Sequence, residues 1–306
     1  MKMKSIRADE HRTFFQKWIT DPLSGLGILL FLGVFKLMPL DVASWCGAGL
    51  GGFFGFVCRK KNKIALHNLR KCFPEKTDAW RKDVIRKMWR HFGRVMGEIP
   101  HYQKIVDSRV ELDGAEYLVE AKNDGKGAFF CSAHFGNWEF YGLLTLKFGF
   151  PLHLVYRAAN NPWAEKFLYQ KRQTNGATLI PKGIAGARQL IELLKKNEHI
   201  GILFDQKFRE GIDVPFFGYP AKTAHAMATM AIRFGVPVFP THSFRKKGAS
   251  YKVVVGKPLA VANQDDKEKA YFDMMLEANR LLEDWIRANP EQWLWIHRRW
   301  DKSEYR

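Results

Sequence analysis

The sequence predicts an α/β protein: a mainly parallel sheet flanked by helices, with an N-terminal apolar membrane anchor and a helical segment ahead of it. Three observations carry this reading. From about residue 110, short apolar runs alternate with helical stretches, the pattern of a parallel sheet with helices on both faces. Three of those runs end on a polar residue, His134, Arg157 and Asp205, and in such folds sites form at the C-terminal ends of strands. Before the alternation lie two uncharged apolar stretches and a polybasic block. The chain accordingly divides into an N-terminal segment (1–58), a basic helical segment (59–105) and an α/β domain (106–306).

Composition narrows the function classes. A chain of 306 residues can bury a real core, and 46% hydrophobic content with ten Trp excludes a disordered protein. The 49 Lys and Arg against 31 Asp and Glu leave +18, which implies an acidic partner: nucleic acid, an anionic membrane surface, an acidic protein or a phosphorylated substrate. From Arg59 to Lys104 there are 14 Lys and Arg and 4 Asp and Glu, a net of +10, so over half of the excess sits just after the most apolar segment. Cys46, Cys58, Cys72 and Cys131 form no CxxC pair and no metal-ligand spacing, and read as reduced thiols.

Taken in order, residues 1–22 are polar and lack an A-x-A cleavage site, so a cleaved signal peptide is not expected. Leu23–Phe35 is an uncharged apolar run; counted on to Leu40 it makes an 18-residue candidate with Lys36 near its end. Val42–Cys58 is a second uncharged stretch. A buried helical hairpin has the same composition, but Arg59-Lys60-Lys61-Asn62-Lys63 follows at once, and a polybasic block beside an apolar segment suits an anionic membrane surface. Ile64–Phe73 reads as an amphipathic helix stopped by Pro74, and Asp78–Gly97 as a second, with a cationic face from Arg81 to Arg94. The alternation then predicts strands at 110–112, 152–156, 178–180, 199–204, 237–242 and 251–255, and another opening at Ala128. Helices are predicted at 116–123, 137–147, 163–175, 184–196 and 267–288, with another capped by Thr223 and ending at Phe234.

The most informative stretch is Ala128–Glu139. An apolar strand delivers a histidine, a Gly-Asn turn and a glutamate. On one regular helix the offset of five from His134 to Glu139 would set the side chains roughly 140° apart. With His134 in a turn and Glu139 in the first helical turn beyond it, the carboxylate can reach back and orient the imidazole as a general base. A structural histidine and a helix-terminal glutamate fit the same letters. Arg157 ends an apolar strand and must face solvent, a partner or a ligand phosphate. Asp205-Gln206 closes another strand, where a turn carboxylate would look the same. Val214-Pro215-Phe216-Phe217-Gly218 reads as a core plug or as a lip for a hydrophobic chain. The tail Pro290–Trp300 interleaves aromatics with cations, as a base-stacking surface, an interfacial belt or a packed C-terminal cap does. There is no GxxxxGK[ST], no GxGxxG after a strand, no HExxH and no GxSxG, and Cys131 lies inside an apolar strand where a thiolate is disfavoured.

His134-x4-Glu139, set in Ala-His-Phe-Gly-Asn-Trp-Glu, resembles the HX4(D/E) motif of glycerolipid acyltransferases. The wider resemblance is to the bacterial late acyltransferases of lipid A biosynthesis. It extends over Ala65–Glu75, Tyr156-Arg157 with Asn161-Pro162, Asp205-Gln206, Val214–Gly218 and Pro290–Arg299, in family order and across nearly the whole chain. The resemblance implies an inner-membrane enzyme facing the cytoplasm that moves an acyl chain from acyl carrier protein to a hydroxyl of a phosphorylated lipid A precursor. It needs no metal, no cofactor and no nucleic acid. His134 would deprotonate the hydroxyl and Glu139 would hold His134, in a ternary complex. Backbone amides at Gly136 and Asn137, or Arg157, would bind the oxyanion. Arg172 and Asp205 would belong to the site, and Phe216 and Phe217 would line the acyl channel. Acylation of another membrane glycolipid or of a lysophospholipid is the alternative within the same chemistry. A basic nucleic-acid-binding protein is the alternative outside it.

Overall fold

The computed structural model describes residues 20–156, 179–181, 183–260 and 265–305. Helices α1 (Asp21–Leu37) and α2 (Leu40–Val57) form an apolar hairpin. The 18-residue candidate ending at Leu40 is broken, because a residue before proline is pushed out of the α region: Met38, ahead of Pro39, is extended with ψ 149°. Among the described residues, the one helix long and apolar enough to cross a membrane, by length and composition, is α2. It runs almost directly into α3 (Arg59–Cys72), and α4 (Asp78–Glu98) follows, capped by the Thr77 hydroxyl accepting from Trp80 N at 3.2 Å.

The α/β part begins with α5 (Tyr102–Ser108), β1 (Val110–Asp113), α6 (Ala115–Asn123), β2 (Ala128–Ser132), α7 (Tyr141–Lys147) and β3 (Leu152–Tyr156). It continues with β4 (Leu179–Pro181), α8 (Ile184–Lys195), β5 (His199–Leu203), β6 (Ile212–Phe216), β7 (Tyr219–Thr223) and α9 (Ala226–Phe234), and closes with β8 (Val238–Arg245), β9 (Tyr251–Val255) and α10 (Lys267–Ala288). Seven strands form one sheet in the order β1-β9-β8-β2-β5-β3-β4. Every neighbouring pair is parallel except the β8–β9 hairpin. The expected mainly parallel α/β fold is therefore the observed one.

β2 lies at the centre of the sheet and all of its residues are buried, as a strand covered on both faces requires. Its side chains alternate between two cores. Phe129 and Cys131 join the cluster built with α3, α4, α9 and α10, while Ala128 and Phe130 join the one built with α5, α6 and α7.

Three predicted elements differ in detail. The helix expected from Asn137 starts as a 3-10 turn over Trp138–Phe140, because the Asn137 side chain accepts from Glu139 N at 3.3 Å and tightens the entry. Thr223 ends a strand instead of capping a helix. The Val214–Gly218 stretch belongs to an antiparallel β6–β7 ribbon in which Pro215 faces Pro220; two prolines in ten residues argue against a strand by pattern alone. The helix expected at 163–175 lies outside the described residues.

Candidate active site

β2 and β5 run side by side in parallel, with Cys131 beside Ile202 and Ser132 beside Leu203, so the chain leaves both strands at the same sheet edge. From β2 comes His134, and from β5 comes Asp205. His134 Nδ1 lies 2.8 Å from Asp205 Oδ1, and the His134 backbone N–H donates to Asp205 Oδ2 at 3.1 Å. Trp293 Nε1 donates to the same Oδ2 at 2.9 Å. Burial alone would raise the Asp205 carboxyl pKa, but the His134 ring opposite it, with the hydrogen bonds from His134 and Trp293, holds it well below the usual carboxylate range. An ionised carboxylate on Nδ1 favours the tautomer with the ring proton there, so that Nε2 is the nitrogen that faces the site. Gln206 Nε2 stands 3.4 Å from that Nε2 and 3.5 Å from His297 Nε2, which gathers two imidazoles and an amide at one mouth.

The partner of the imidazole is thus not the carboxylate five residues on. Glu139 lies on the wall of the same cavity, with Oε1 accepting from Trp138 Nε1 at 3.2 Å, while Asp205 occupies the position on Nδ1 expected for it. The cause is topological: β5 is the immediate neighbour of β2, whereas the turn after His134 carries Glu139 onward into the 3-10 segment.

That turn is held from beneath. Gly136 has φ +60°, and a Cβ there would meet Ser243 O at 1.7 Å, so only glycine fits. Its N–H donates to Gln292 O at 3.0 Å and its carbonyl sits 2.9 Å from His91 Nε2. The Asn137 N–H donates to Ser243 Oγ at 2.9 Å, and its side chain donates to the Tyr251 hydroxyl at 3.3 Å. Both backbone amides expected to bind an oxyanion are therefore buried and already engaged. Gly136 and Asn137 shape the turn instead. Beneath them, Arg245 Nε donates to His91 Nδ1 at 3.3 Å and its guanidinium grips the fully buried Glu98 carboxylate at 2.5 and 3.1 Å. Burial, then the Arg245 charge, lowers the His91 pKa to about 3, so His91 is neutral and its Nε2–H donates to Gly136.

The site opens into a cavity of about 360 Å³ between one face of the sheet and helices α6 and α7. Phe130, Gly201 and Leu154 stand in register across β2, β5 and β3 and share that face. The missing side chain at Gly201 leaves a hollow between large neighbours: a Cβ there would meet Leu154 Cδ2 at 2.6 Å. His134, Glu139, Gln206 and His297 rim the cavity, and Leu118, Leu144 and Leu152 line its apolar depth.

Phe216 and Phe217, expected along an acyl channel, are core residues. They occupy the turn of the β6–β7 ribbon, where Phe217 (φ +50°) and Gly218 (φ +78°) form its two central residues. Phe216 packs on Trp293 and Trp300, and Phe217 on Phe73, and among the described residues the cavity is lined by others. Of the open readings of the C-terminal tail, the packed cap is the observed one. Trp293, Trp295 and Trp300 are buried, so they offer no faces for stacking on bases. Arg157 and Arg172 lie outside the described residues. Burial raises the Cys131 thiol to about 12, in keeping with its exclusion as a nucleophile. Among the described residues no group of three or more His, Cys, Asp or Glu side chains is placed to hold a metal ion.

Sequence reasoning gave His91 no role, and it singled out Trp293 and His297 only as members of the Pro290–Arg299 tail, not as partners of Asp205 and Gln206. A glycine inside a buried strand marks a close approach or a hollow, which would have pointed to the cavity at Gly201. His91 gave no comparable signal, since its role arises only from tertiary contact.

Comparison with known proteins bears on this arrangement. Residues 9–302 match the family model described as bacterial lipid A biosynthesis acyltransferase. The chain is 26% identical over 281 residues to a lipid A biosynthesis acyltransferase of Haemophilus influenzae, covering 87% of this chain and 86% of the relative. It is 25% identical over 297 residues to the lipid A biosynthesis palmitoleoyltransferase of Escherichia coli, and 26% identical over 302 residues to the lauroyltransferase of the same organism. Each of these two alignments covers 94% of this chain and 92% of the relative.

Proposed function

The chain belongs to the bacterial lipid A biosynthesis acyltransferase family, and from that premise we propose that it moves a fatty acyl chain from the thioester of acyl carrier protein to a hydroxyl of a lipid A precursor, with His134 as general base. The observation that carries the reading is the His134–Asp205 pair at the rim of an apolar cavity. His134 Nε2 takes the hydroxyl proton as the oxygen attacks the thioester carbonyl, and Asp205 stabilises the imidazolium that forms. The tetrahedral intermediate collapses, the carbon–sulfur bond breaks, and the imidazolium returns its proton to the leaving thiolate. The products are an ester and a free thiol. Both substrates are bound at once, and no acyl-enzyme intermediate is needed.

Gln206 Nε2, close to His134 Nε2, is the described donor best placed to meet the developing oxyanion. Glu139 supplies a carboxylate on the cavity wall that can accept from the incoming hydroxyl and orient it. The apolar depth of the cavity suits a hydrocarbon chain. The exposed cations Lys82, Arg86 and Lys87 on α4 suit an acidic carrier protein, and the apolar hairpin suits attachment to an anionic inner membrane on its cytoplasmic face.

The test is acyl transfer by the full chain in detergent, read by mass spectrometry. A lipid A precursor and a lysophospholipid are offered side by side, each with acyl carrier protein and coenzyme A thioesters. The expected product is the acylated lipid A precursor from the carrier-protein donor. Transfer to the lysophospholipid alone would assign the acceptor to the alternative class, and no transfer to either would overturn the reading.

A further inference from the structure

By length and hydropathy α2 could cross a bilayer: its 18 residues have a mean hydropathy of 1.3 and span about 27 Å, close to the hydrocarbon thickness. Its tertiary contacts argue otherwise. At its start, Leu40 is buried in the same core cluster as Tyr102 and Ile105, and the Asp41 carboxylate accepts from Arg109 at 3.1 Å and from the Ala249 N–H, in the β8–β9 turn, at 3.4 Å. At its end, Asn62 donates to Gly55 O at 2.6 Å and accepts from Trp89 Nε1 at 2.7 Å, and Cys58 packs against the main core. Both ends of α2 are thus fastened to the same folded body.

Between its ends α2 lies along α4 with the two backbones touching. A Cβ at Gly47 would meet Gly93 O at 2.3 Å, and one at Gly51 would meet Trp89 O at 2.2 Å. If α2 crossed the bilayer, α4 would be drawn in with it. Yet α4 carries Arg94, which donates to Ser44 of α2 at 2.9 Å, and the exposed Arg90 beside Gly52. Cations held against a spanning helix inside both of its ends would sit in hydrocarbon, where they are costly. The opposite face of α2 exposes Val42, Trp45, Phe53 and Phe56 at helical spacing, and α1 exposes Leu26, Leu30 and Leu37 beside it. Exposed cations rim this apolar surface, with Lys36 at the α1–α2 turn and Arg59, Lys60 and Lys61 just beyond α2.

From these contacts we propose that α2 lies in the plane of the membrane surface, its apolar face immersed and both of its ends on the same side, and that the surface it fits is an anionic bilayer. This rests on the membrane attachment included in the functional reading, and it replaces a crossing by α2 with a flat contact. Since α4 touches α2 on one side and holds Gly136 through His91 on the other, a single helix then separates the lipid surface from the His134 turn.

The test uses the full chain in bacterial inner membranes. Lys36→Cys and Lys61→Cys place one thiol near each end of α2, at exposed positions outside the site. Each variant reacts with a membrane-impermeant maleimide in spheroplasts and in inverted inner-membrane vesicles. The parent chain gives the background from its own cysteines, and detergent-solubilised variants show that both new thiols are reactive. The expected result is that both label in the inverted vesicles and neither labels in spheroplasts. Labelling of the two ends from opposite sides overturns the proposal, as does recovery of the chain in the soluble fraction. Acyl transfer measured on the same vesicles keeps the two readings separable: same-side labelling without transfer sinks the enzymatic reading and leaves the topology standing.

Discussion

His91 never touches the cavity, yet it holds the turn that presents His134. Its Nε2–H donates to the Gly136 carbonyl while Arg245 fixes the tautomer from the other side. In the folded chain its pKa is lowered to about 3, while the unfolded chain keeps the ordinary value near 6.5. Between those two values the unfolded state binds the extra proton. The stabilisation is therefore complete above about pH 6.5 and is lost progressively as the pH falls toward 3. Denaturation midpoints of the wild type should drop between pH 7 and pH 4, and His91→Gln, which keeps a donor but does not titrate, should drop less. An equal drop in both would refute the role. The same variant separates positioning from mere packing. His91→Gln should keep most of kcat, while His91→Leu should lose kcat with little change in KM.

Among the elements, the contact of α2 with α4 is the most exacting, because glycines on both helices let the backbones meet. Replacing Gly51 by Leu forces them apart and should destabilise the chain by roughly 1–3 kcal/mol or more, as overpacking does. Gly49, on the same helix, has open space around its Cβ position; Gly49→Ala should be neutral, or stabilising by up to about 1 kcal/mol through helix propensity. Thermal melting of the two variants in one detergent checks the pair, and equal shifts would show that the backbone contact carries no special constraint. Element type was largely readable in the sequence, since β2, β3, β5 and α10 follow strong apolar patterns. The β6–β7 ribbon was not, because its prolines contradict strand chemistry and only pairing across the turn makes it a ribbon. The break at Met38–Pro39 was visible in the letters, but the apolar count ran across it.

At the scale of the whole fold, the central sheet and a C-terminal cap bring distant residues to one sheet edge. His134 and Asp205 stood out in the sequence as polar residues ending apolar runs. Their pairing did not, because it depends on β5 lying next to β2, and chain proximity favoured Glu139. Trp293 reaches the same carboxylate from 88 residues beyond it, a contact with no local trace. The oxyanion amides were misassigned for a related reason: whether a backbone N–H is free depends on what packs beneath it, here Gln292 and Ser243.

In the proposed reaction the Asp205 carboxylate sets the tautomer of His134, the base that drives acyl transfer. The most direct measurement is the steady-state transfer rate of wild type, Asp205→Asn and Glu139→Gln under one set of conditions, with near-ultraviolet circular dichroism showing that each variant keeps its fold. Asp205→Asn should lower kcat by roughly 10²–10⁴-fold with KM little changed, the loss expected when a base is held in the wrong tautomer; Glu139→Gln should cost less. A folded Asp205→Asn variant with near wild-type kcat, beside a Glu139→Gln variant that has lost turnover, would show that Glu139 and not Asp205 orients the base.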